Sequence, residues 1–252
     1  MKRWLAAVAI LVLASPLQAT GVLVGYWNFD EGFGDVASDS SGEAYHGTVD
    51  GATWILGGYG PHALRFDGGD GVDMGNRALL EPATMTVAAC LRTSSLQGTH
   101  TYIVSEGLNG CSCSSYAVYG WAGNLYFYTC TGSVASLSAP ILSADVWDGS
   151  WHRIVGTYDG VSVRIYLDGV VVGDPVTAVA PNYSMSSHSD FSVGRLGGGC
   201  SAVSGFVGDV DEVMVWDGVL SDVEIQDMGD CGHIMSDDFE GGNTASWALT
   251  IP

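Results

Sequence analysis

Acidic side chains close together on one strand are the first residues in this sequence that suggest chemistry. The run Asp209-Val210-Asp211-Glu212 holds three carboxylates, and glycoside hydrolysis uses two carboxylates that face one cleft. In an extended strand Asp209 and Asp211 share one face, while Glu212 points to the other. No second glutamate follows at a matching spacing, and neither a Ser/His/Asp motif nor an H-E-x-x-H motif is present. We therefore expect solvent-facing acids on a structural strand rather than a catalytic pair.

Aromatic side chains in residues 116–130 form the second candidate site. Leu125 and Phe127 alternate with two tyrosines, so one set faces the core and the other set lies on the opposite face. Sugars stack on flat aromatic faces while their hydroxyl groups bind polar partners, so such a surface suits a glycan. The alternative is that these tyrosines are ordinary residues of a sheet surface. The candidate ligand-binding aromatics are Tyr119, Trp121, Tyr126 and Tyr128.

The N-terminal segment predicts export. Lys2 and Arg3 precede a short apolar run that ends in small residues, which is the pattern of a cleaved signal peptide. We place the cleavage after Ala19, with Ala14 as the alternative. The apolar run is too short to span a bilayer, and no later segment is apolar enough to do so. We therefore expect a secreted, periplasmic or cell-surface protein that is not inserted in the membrane after cleavage.

Six cysteines in an exported chain favour disulfide bonds, and six cysteines allow fifteen pairings. If residues 116–130 fold as a hairpin around 121–124, Cys113 comes close to Cys130. Cys111 is then left to reach the glycine-rich loop at Cys200, and Cys90 remains for Cys231. The spacing Cys111-Ser-Cys113 does not match redox or zinc motifs, which argues against a metal–thiolate site. The predicted pairs are Cys113–Cys130, Cys111–Cys200 and Cys90–Cys231.

The charge of the chain excludes several classes of partner. The 252 residues contain 28 acidic and 8 basic side chains, for a formal net charge of −20. Lys2 is the only lysine, so removal of the signal peptide leaves only arginines as basic side chains. Such a surface repels phosphate backbones and anionic lipids, which argues against nucleic-acid binding and against a basic membrane-binding patch.

The remaining pattern is that of an all-β protein. Short apolar, aromatic and β-branched runs are separated by Gly, Asp and Asn. Two alternating runs flank Asp159-Gly160, which is a strong hairpin signal. Ser221-Asp222-Val223-Glu224 forms a capping box and predicts one short helix over about residues 221–228. Residues 230–252 are polar and acidic and predict a loose tail that Cys231 partly tethers.

Eight short motifs occur in an order that resembles the laminin-G-like, concanavalin A-like jelly-roll family over about residues 22–228. They lie at 26–32, 39–42, 46–48, 63–68, 151–153, 157–160, 166–169 and 208–213. Residues 206–221 also resemble pentraxins, and residues 239–247 resemble short C-terminal tails of exported bacterial proteins. The resemblance implies two antiparallel sheets of six or seven strands each. It also implies a binding role toward glycans or proteins.

The resemblance further implies a calcium ion, because members of this fold often hold one. It places Asp39 and Asp211 at one end of the sandwich, where Asp30 or Asp67 would join them as ligands. The alternative is that Asp39 only accepts turn amides and that Asp211 is solvated. In the pentraxin-like loops only Asn109 remains as a candidate ligand, so calcium-dependent binding of phosphocholine is not expected.

Together these observations predict a signal peptide at 1–19, a jelly-roll domain at 20–229 and an acidic tail at 230–252. We expect the domain to bind a glycan or a surface protein without catalysis. A structural or adhesive envelope protein that associates with itself is the first alternative. A glycan-degrading enzyme of the same fold is the second.

Overall fold

A computed structural model describes residues 21–107, 113–184, 190–197 and 204–231. The predicted signal peptide and residues 232–252 lie outside the described residues, as do Asn109, Cys111 and Cys200. In chain order the strands are β1 (Val22–Trp27), β2 (Val36–Ala37), β3 (Gly47–Asp50), β4 (Thr53–Leu56), β5 (His62–Asp67), β6 (Gly71–Gly75), β7 (Met85–Arg92), β8 (Thr101–Glu106), β9 (Tyr116–Trp121), β10 (Asn124–Cys130), β11 (Ala135–Leu137), β12 (Trp151–Tyr158), β13 (Ser162–Leu167), β14 (Val170–Thr177), β15 (Phe191–Val193), β16 (Ser204–Gly205) and β17 (Val207–Asp217).

The strands form two sheets, which confirms the predicted all-β jelly-roll sandwich. The first sheet has the order β14-β13-β12-β7-β17-β5-β4, and β1 pairs with β17 beside this path. The second has the order β11-β10-β9-β8-β15-β6-β3-β2, and β16 adds a parallel pairing with β8. Within the described residues the sheets contain eight and nine strands. The resemblance implied six or seven in each, and short edge strands account for the difference.

Helical structure in the described residues is limited to short segments. These are a 3-10 turn at Ala78–Leu80, a single turn α1 (Ser143–Val146) and the helix α2 (Asp222–Asp227). The capping box that predicts α2 is present, because Ser221 accepts from the amide of Glu224 and the Glu224 carboxylate accepts from the amide of Ser221. No helix in these ranges has the length and apolar character needed to cross a membrane.

The core lies between the inner faces of the two sheets. On β10, Leu125 and Phe127 point into it, as the alternation of the sequence predicts. Trp27 of β1 stacks on Phe191 of β15 across the sandwich, with ring centroids 5.2 Å apart. Aromatic side chains of this size leave little room where the sheets approach, and Gly156 of β12 sits directly against the Phe127 ring.

A bulge in β17 changes the direction of one acidic side chain. Asp211 pairs with Cys90 and Met214 with Ala88, so two residues of β17 lie opposite one residue of β7. Glu212 takes a left-handed conformation with φ +51°, while Val213 enters the core. The prediction that Glu212 points away from Asp211 is therefore wrong, because the alternation of an extended strand does not continue through a bulge.

We expect Gly156→Ala to lower the free energy of unfolding by about 1–3 kcal/mol, because a Cβ atom there would overlap the Phe127 ring. The matched control is Gly69→Ala, whose Cβ would make only an ordinary 3.6 Å contact with Asp67. Urea unfolding of both variants measures the difference. Equal stability of the two would show that the sheets adjust their separation at Gly156 without cost.

Candidate functional site

The β9–β10 hairpin places aromatic side chains on the outer surface of the nine-stranded sheet. The turn between its strands consists of Ala122 (φ +50°) and Gly123 (φ +84°), the left-handed pair that a tight hairpin requires. The register sets Tyr119 opposite Tyr126 on β10 and opposite Tyr102 on β8. We call the resulting surface the aromatic face; its members are His100, Tyr102, Tyr119, Trp121, Tyr126 and Tyr128.

Tyr119 lies at the centre of the aromatic face. Its ring centroid is 5.0 Å from that of Tyr102 and 5.2 Å from that of Tyr128. Its hydroxyl contacts Nδ1 of His100, a residue of the loop that precedes β8. The aromatic face thus includes two residues, Tyr102 and His100, that the sequence analysis did not select.

Exposure differs strongly across the aromatic face. Tyr119 and Tyr128 are only 7% and 2% exposed, whereas Trp121 is 44% exposed. Tyr126 is half-buried beside Trp121, with ring centroids 6.2 Å apart. A cavity of about 210 Å³ opens between His100, Trp121 and the three buried tyrosines, and Tyr126 lies outside its lining. A ligand would therefore reach the Trp121 edge first and the buried tyrosines only through this cavity.

The hydroxyls of the three buried tyrosines Tyr102, Tyr119 and Tyr128 are neutral hydrogen-bonding groups. Burial raises the pKa of Tyr128 to about 12, and it also raises the pKa of Tyr119 and Tyr102. The Tyr128 hydroxyl accepts from the backbone amide of Ser114 at 2.9 Å, which fixes its orientation. The face therefore offers apolar surface and uncharged hydroxyls, which match a ligand that carries hydroxyl groups.

Two disulfides brace the two outer surfaces of the sandwich. Cys113 is bonded to Cys130 at the end of β10, beside the aromatic face. Cys90 of β7 is bonded to Cys231, which holds the segment after α2 on the outer face of the eight-stranded sheet. These are two of the three predicted pairs. The third, Cys111–Cys200, falls outside the described residues, as does the candidate ligand Asn109.

The acidic run of β17 is buried rather than solvent-facing, which corrects the expectation from the sequence. Asp209 is 3% exposed, Asp211 is fully buried and Glu212 is 4% exposed. Asp209 is ion-paired with Arg65 and Arg92 at 2.7 Å and 2.6 Å. Because these carboxylates are enclosed or paired, none of the three is available to a substrate in a cleft.

Asp211 and Glu212 share a buried charge cluster with Arg153. Asp211 accepts from the amide of Tyr59 at 2.7 Å, and Glu212 accepts from the Tyr26 hydroxyl at 2.9 Å. Burial raises the pKa of both carboxyl groups to about 7, although the Tyr26 hydrogen bond and the nearby Arg153 charge oppose the rise at Glu212. Arg153 stacks over the Tyr59 ring and donates to the carbonyl of Gly229 at 3.0 Å.

The four side chains predicted to bind calcium do not form one site, although the carboxylates of Asp30 and Asp211 both lie against the segment 58–60. Both Asp39 oxygens accept hydrogen bonds from protein donors, which are the amides of Tyr26, Ser41 and Tyr45 and the hydroxyl of Ser41. Asp30 has one buried oxygen without a hydrogen-bond partner, whereas calcium takes six to eight oxygen ligands. Asp67 is the last residue of β5, whereas His62, which contacts the carbonyl of Asp30, is the first. Asp67 and Asp30 therefore lie at opposite ends of this strand.

In the part of the chain that the structure describes, no three acidic, histidine or cysteine side chains are arranged to hold a metal ion. Asp39 therefore fits the alternative of a turn carboxylate better than that of a calcium ligand. The calcium ion itself stays a prediction from the family resemblance.

The comparison with known proteins identifies the family. A laminin-G-type family model, described as the concanavalin A-like lectin/glucanases superfamily, matches residues 66–226, which is more than half of the chain. The chain belongs to the concanavalin A-like lectin/glucanases superfamily. Among curated proteins it is 28% identical over 179 residues to neuronal pentraxin-1 of Rattus norvegicus, covering 68% of this chain and 38% of the relative. The chain thus spans less than half the length of that relative.

Solved structures of this superfamily fold include both binding domains and enzymes. Domain 4 of AbnA, an extracellular GH43 arabinanase of Geobacillus stearothermophilus in complex with arabinotriose, has a TM-score of 0.61 at 19% identity, covering 84% of this chain and all of that domain. Trypanosoma rangeli sialidase in complex with sialic acid has a TM-score of 0.63 at 18% identity, covering 88% and 34%. The binding domain of Paraclostridial Mosquitocidal Protein 1 has a TM-score of 0.62 at 14% identity, covering 82% and 51%. At these identities the likeness shows the fold alone.

We expect Asp39→Ala to lower the free energy of unfolding by about 1–3 kcal/mol, because it leaves turn amides without an acceptor. The loss should be the same in calcium chloride and in a chelator if Asp39 acts only on the turn. Thermal melts of wild type and variant under both conditions measure this. A loss that grows when calcium is present would make Asp39 a calcium ligand.

The contribution of the Asp211–Glu212 pair to stability should fall as the pH rises from about 4 to about 7. The pKa of Asp211 and Glu212 lies near 7 in the folded chain and near 4 when unfolded, so the folded state binds more protons in this range. A proton taken up in this range contributes a slope of up to about 1.4 kcal/mol per pH unit. Urea unfolding between pH 4 and 8 should show a smaller slope for Glu212→Gln than for wild type. An unchanged slope would contradict the burial of this charge.

Proposed function

We propose that this domain is a non-catalytic module that binds a glycan at the aromatic face. The observation that carries the proposal is the cavity beside Trp121, where an exposed indole adjoins a set of neutral tyrosine hydroxyls. A sugar ring packs its C–H face on a flat aromatic side chain, and its hydroxyls need uncharged donors and acceptors. Trp121 and Tyr126 supply the flat surface, and the pair of His100 and Tyr119 supplies polar atoms at the cavity.

The comparisons support a carbohydrate ligand in general terms. The superfamily is named for lectins and glucanases, and the similar arabinanase domain is complexed with arabinotriose. The disulfides fit an exported protein, because such bonds persist in oxidising compartments. These observations support a carbohydrate ligand in an exported protein without selecting one sugar.

The absence of catalysis in this proposal rests on the acidic run of β17. Hydrolysis of a glycoside needs an acid and a second carboxylate on opposite sides of the bond. Here Asp209 is held by two arginines, and Asp211 and Glu212 are enclosed beneath Tyr26 and Tyr59. This run therefore offers a substrate no accessible carboxylate pair.

Self-association is the second candidate, and the outer edge strand β4 favours it. Leu56 of β4 and Phe33 are 83% and 80% exposed. The Trp54 indole of β4 donates to the carbonyl of Gly34, so Phe33 comes near this strand in space. Within the described residues β4 is an unpaired edge, and an unpaired edge with apolar side chains promotes contact between chains. Size-exclusion chromatography with light scattering separates the two candidates. A monomer at micromolar concentration favours the glycan-binding module, whereas a stable oligomer lost in Leu56→Asp favours self-association.

We expect Trp121→Ala to weaken glycan binding at least tenfold, which corresponds to about 1.4 kcal/mol, and Tyr126→Ala to weaken it as well. Glycan arrays would identify the ligand, and calorimetry would measure the affinities. Phe33→Ala is the matched control, because it removes another exposed aromatic side chain that lies outside the aromatic face. Binding that survives both aromatic-face substitutions would refute the proposed site.

A further inference from the structure

A second group of side chains with binding potential lies on the outer face of the eight-stranded sheet. The register of four neighbouring strands sets Arg65 of β5 opposite Asp209 of β17, Asp209 opposite Arg92 of β7, and Arg92 opposite Trp151 of β12. We call these four residues the arginine row. Their neighbours along the strands, Leu64, Val210 and Leu91, enter the core, so the row points outward.

Asp209 fixes both guanidinium groups of the arginine row in place. Arg65 donates through Nε at 2.7 Å and through Nη2 at 3.1 Å, and Arg92 donates through the same two atoms at 2.9 Å and 2.6 Å. The Nη1 group of each arginine has no hydrogen-bond acceptor among the described residues. Two positive charges face one negative charge, so the row keeps a net positive charge and donors for one more anion.

A cavity of about 390 Å³ lies against the two arginines. Ser94 and Ser95 of the loop after β7 line it, as do Gly149, Gly208 and the paired Asp209. Arg65 is 57% exposed and Arg92 is 32% exposed, so both are accessible from solvent. The cavity is therefore lined by two accessible guanidinium groups, which are hydrogen-bond donors, and by two serines beside them.

Trp151 is the last member of the arginine row, and its position determines how far a ligand must extend to contact it. The Arg92 guanidinium carbon lies 4.8 Å from the centre of the Trp151 ring, a cation–π contact that orients the arginine. The indole N–H of Trp151 has no acceptor in the part of the chain that the structure describes. Trp151 does not line the cavity, so only a ligand that extends from the cavity past Arg92 would reach this indole.

We propose that the arginine row binds the carboxylate of an acidic saccharide. Guanidinium groups bind carboxylates through paired, planar hydrogen bonds, and the serine hydroxyls and the indole N–H suit the hydroxyls of a sugar ring. The strongly negative chain disfavours dense polyanions, so the ligand carries isolated carboxylates on a sugar backbone. The site lies on the sheet opposite the aromatic face, and the proposal holds whichever ligand that face takes.

The test is a nuclear magnetic resonance titration of the full chain with trigalacturonate and with its methyl ester, which lacks the charged carboxylates. We expect trigalacturonate to shift the amide signals of Ser94, Ser95 and Gly149 and the indole signal of Trp151, and the ester to bind at least tenfold more weakly. Arg65→Gln should weaken the binding of trigalacturonate at least tenfold. Arg92→Lys, which keeps the charge but loses the planar fork, should weaken it several-fold.

Arg164→Gln is the control of equal charge change. Arg164 lies opposite Thr157, which lies opposite Thr86, six residues along β7 from Arg92 and so about 20 Å away. Binding of trigalacturonate should not change in this variant. The proposal is overturned if the ester binds equally well, if Arg164→Gln matches Arg65→Gln, or if a short peptide with a free C-terminal carboxylate shifts the same signals with the same affinity. Signal changes confined to Trp121 would overturn it and leave the aromatic-face proposal standing.

Discussion

The structure depends on a change of partner along β17. Its first residues pair with β5 and its last residues pair with β1, while β7 runs along the other side. Between the two partners the backbone bulges at Glu212, and Asp211 and Glu212 must be buried there. A buried carboxylate is costly unless it is hydrogen-bonded, paired or protonated. The amide of Tyr59, the hydroxyl of Tyr26 and the charge of Arg153 meet this requirement.

This buried cluster also separates the outer face of the eight-stranded sheet into two parts. On one side α2 covers the sheet, with Ile225 packed near Ala88 and Val155. On the other side the sheet stays open and presents the arginine row. The strand β17 therefore carries three carboxylates in two environments. Asp209 orients two arginines at the surface, whereas Asp211 and Glu212 are buried beside Arg153. Their different environments follow from the register and the bulge, since all three are ordinary acids in the sequence.

Local signals in the sequence predicted the elements well, and non-local contacts account for what they missed. The alternation of Leu125 and Phe127 and the capping box of Ser221 act within a few residues, so they could be read directly. The left-handed conformation of Glu212 arises only where β17 exchanges partners, which no local pattern encodes. His100 and Tyr102 join the aromatic face through the pairing of β8 with β9, which brings together residues far apart in the sequence. The burial of Tyr128 likewise depends on contacts outside its own strand, such as that with Ser114.

The Cys90–Cys231 disulfide has a mechanical consequence. It connects the last described residue to β7, which pairs along its length with β12 and β17 in the middle of the sheet. Tension applied to the chain after Cys231 therefore reaches β7 directly and does not first unwind α2. Strands held on both sides by antiparallel ladders resist such a load because many hydrogen bonds share it. With the disulfide reduced, the same tension would act on α2, a helix of six residues, and would detach it at much lower force.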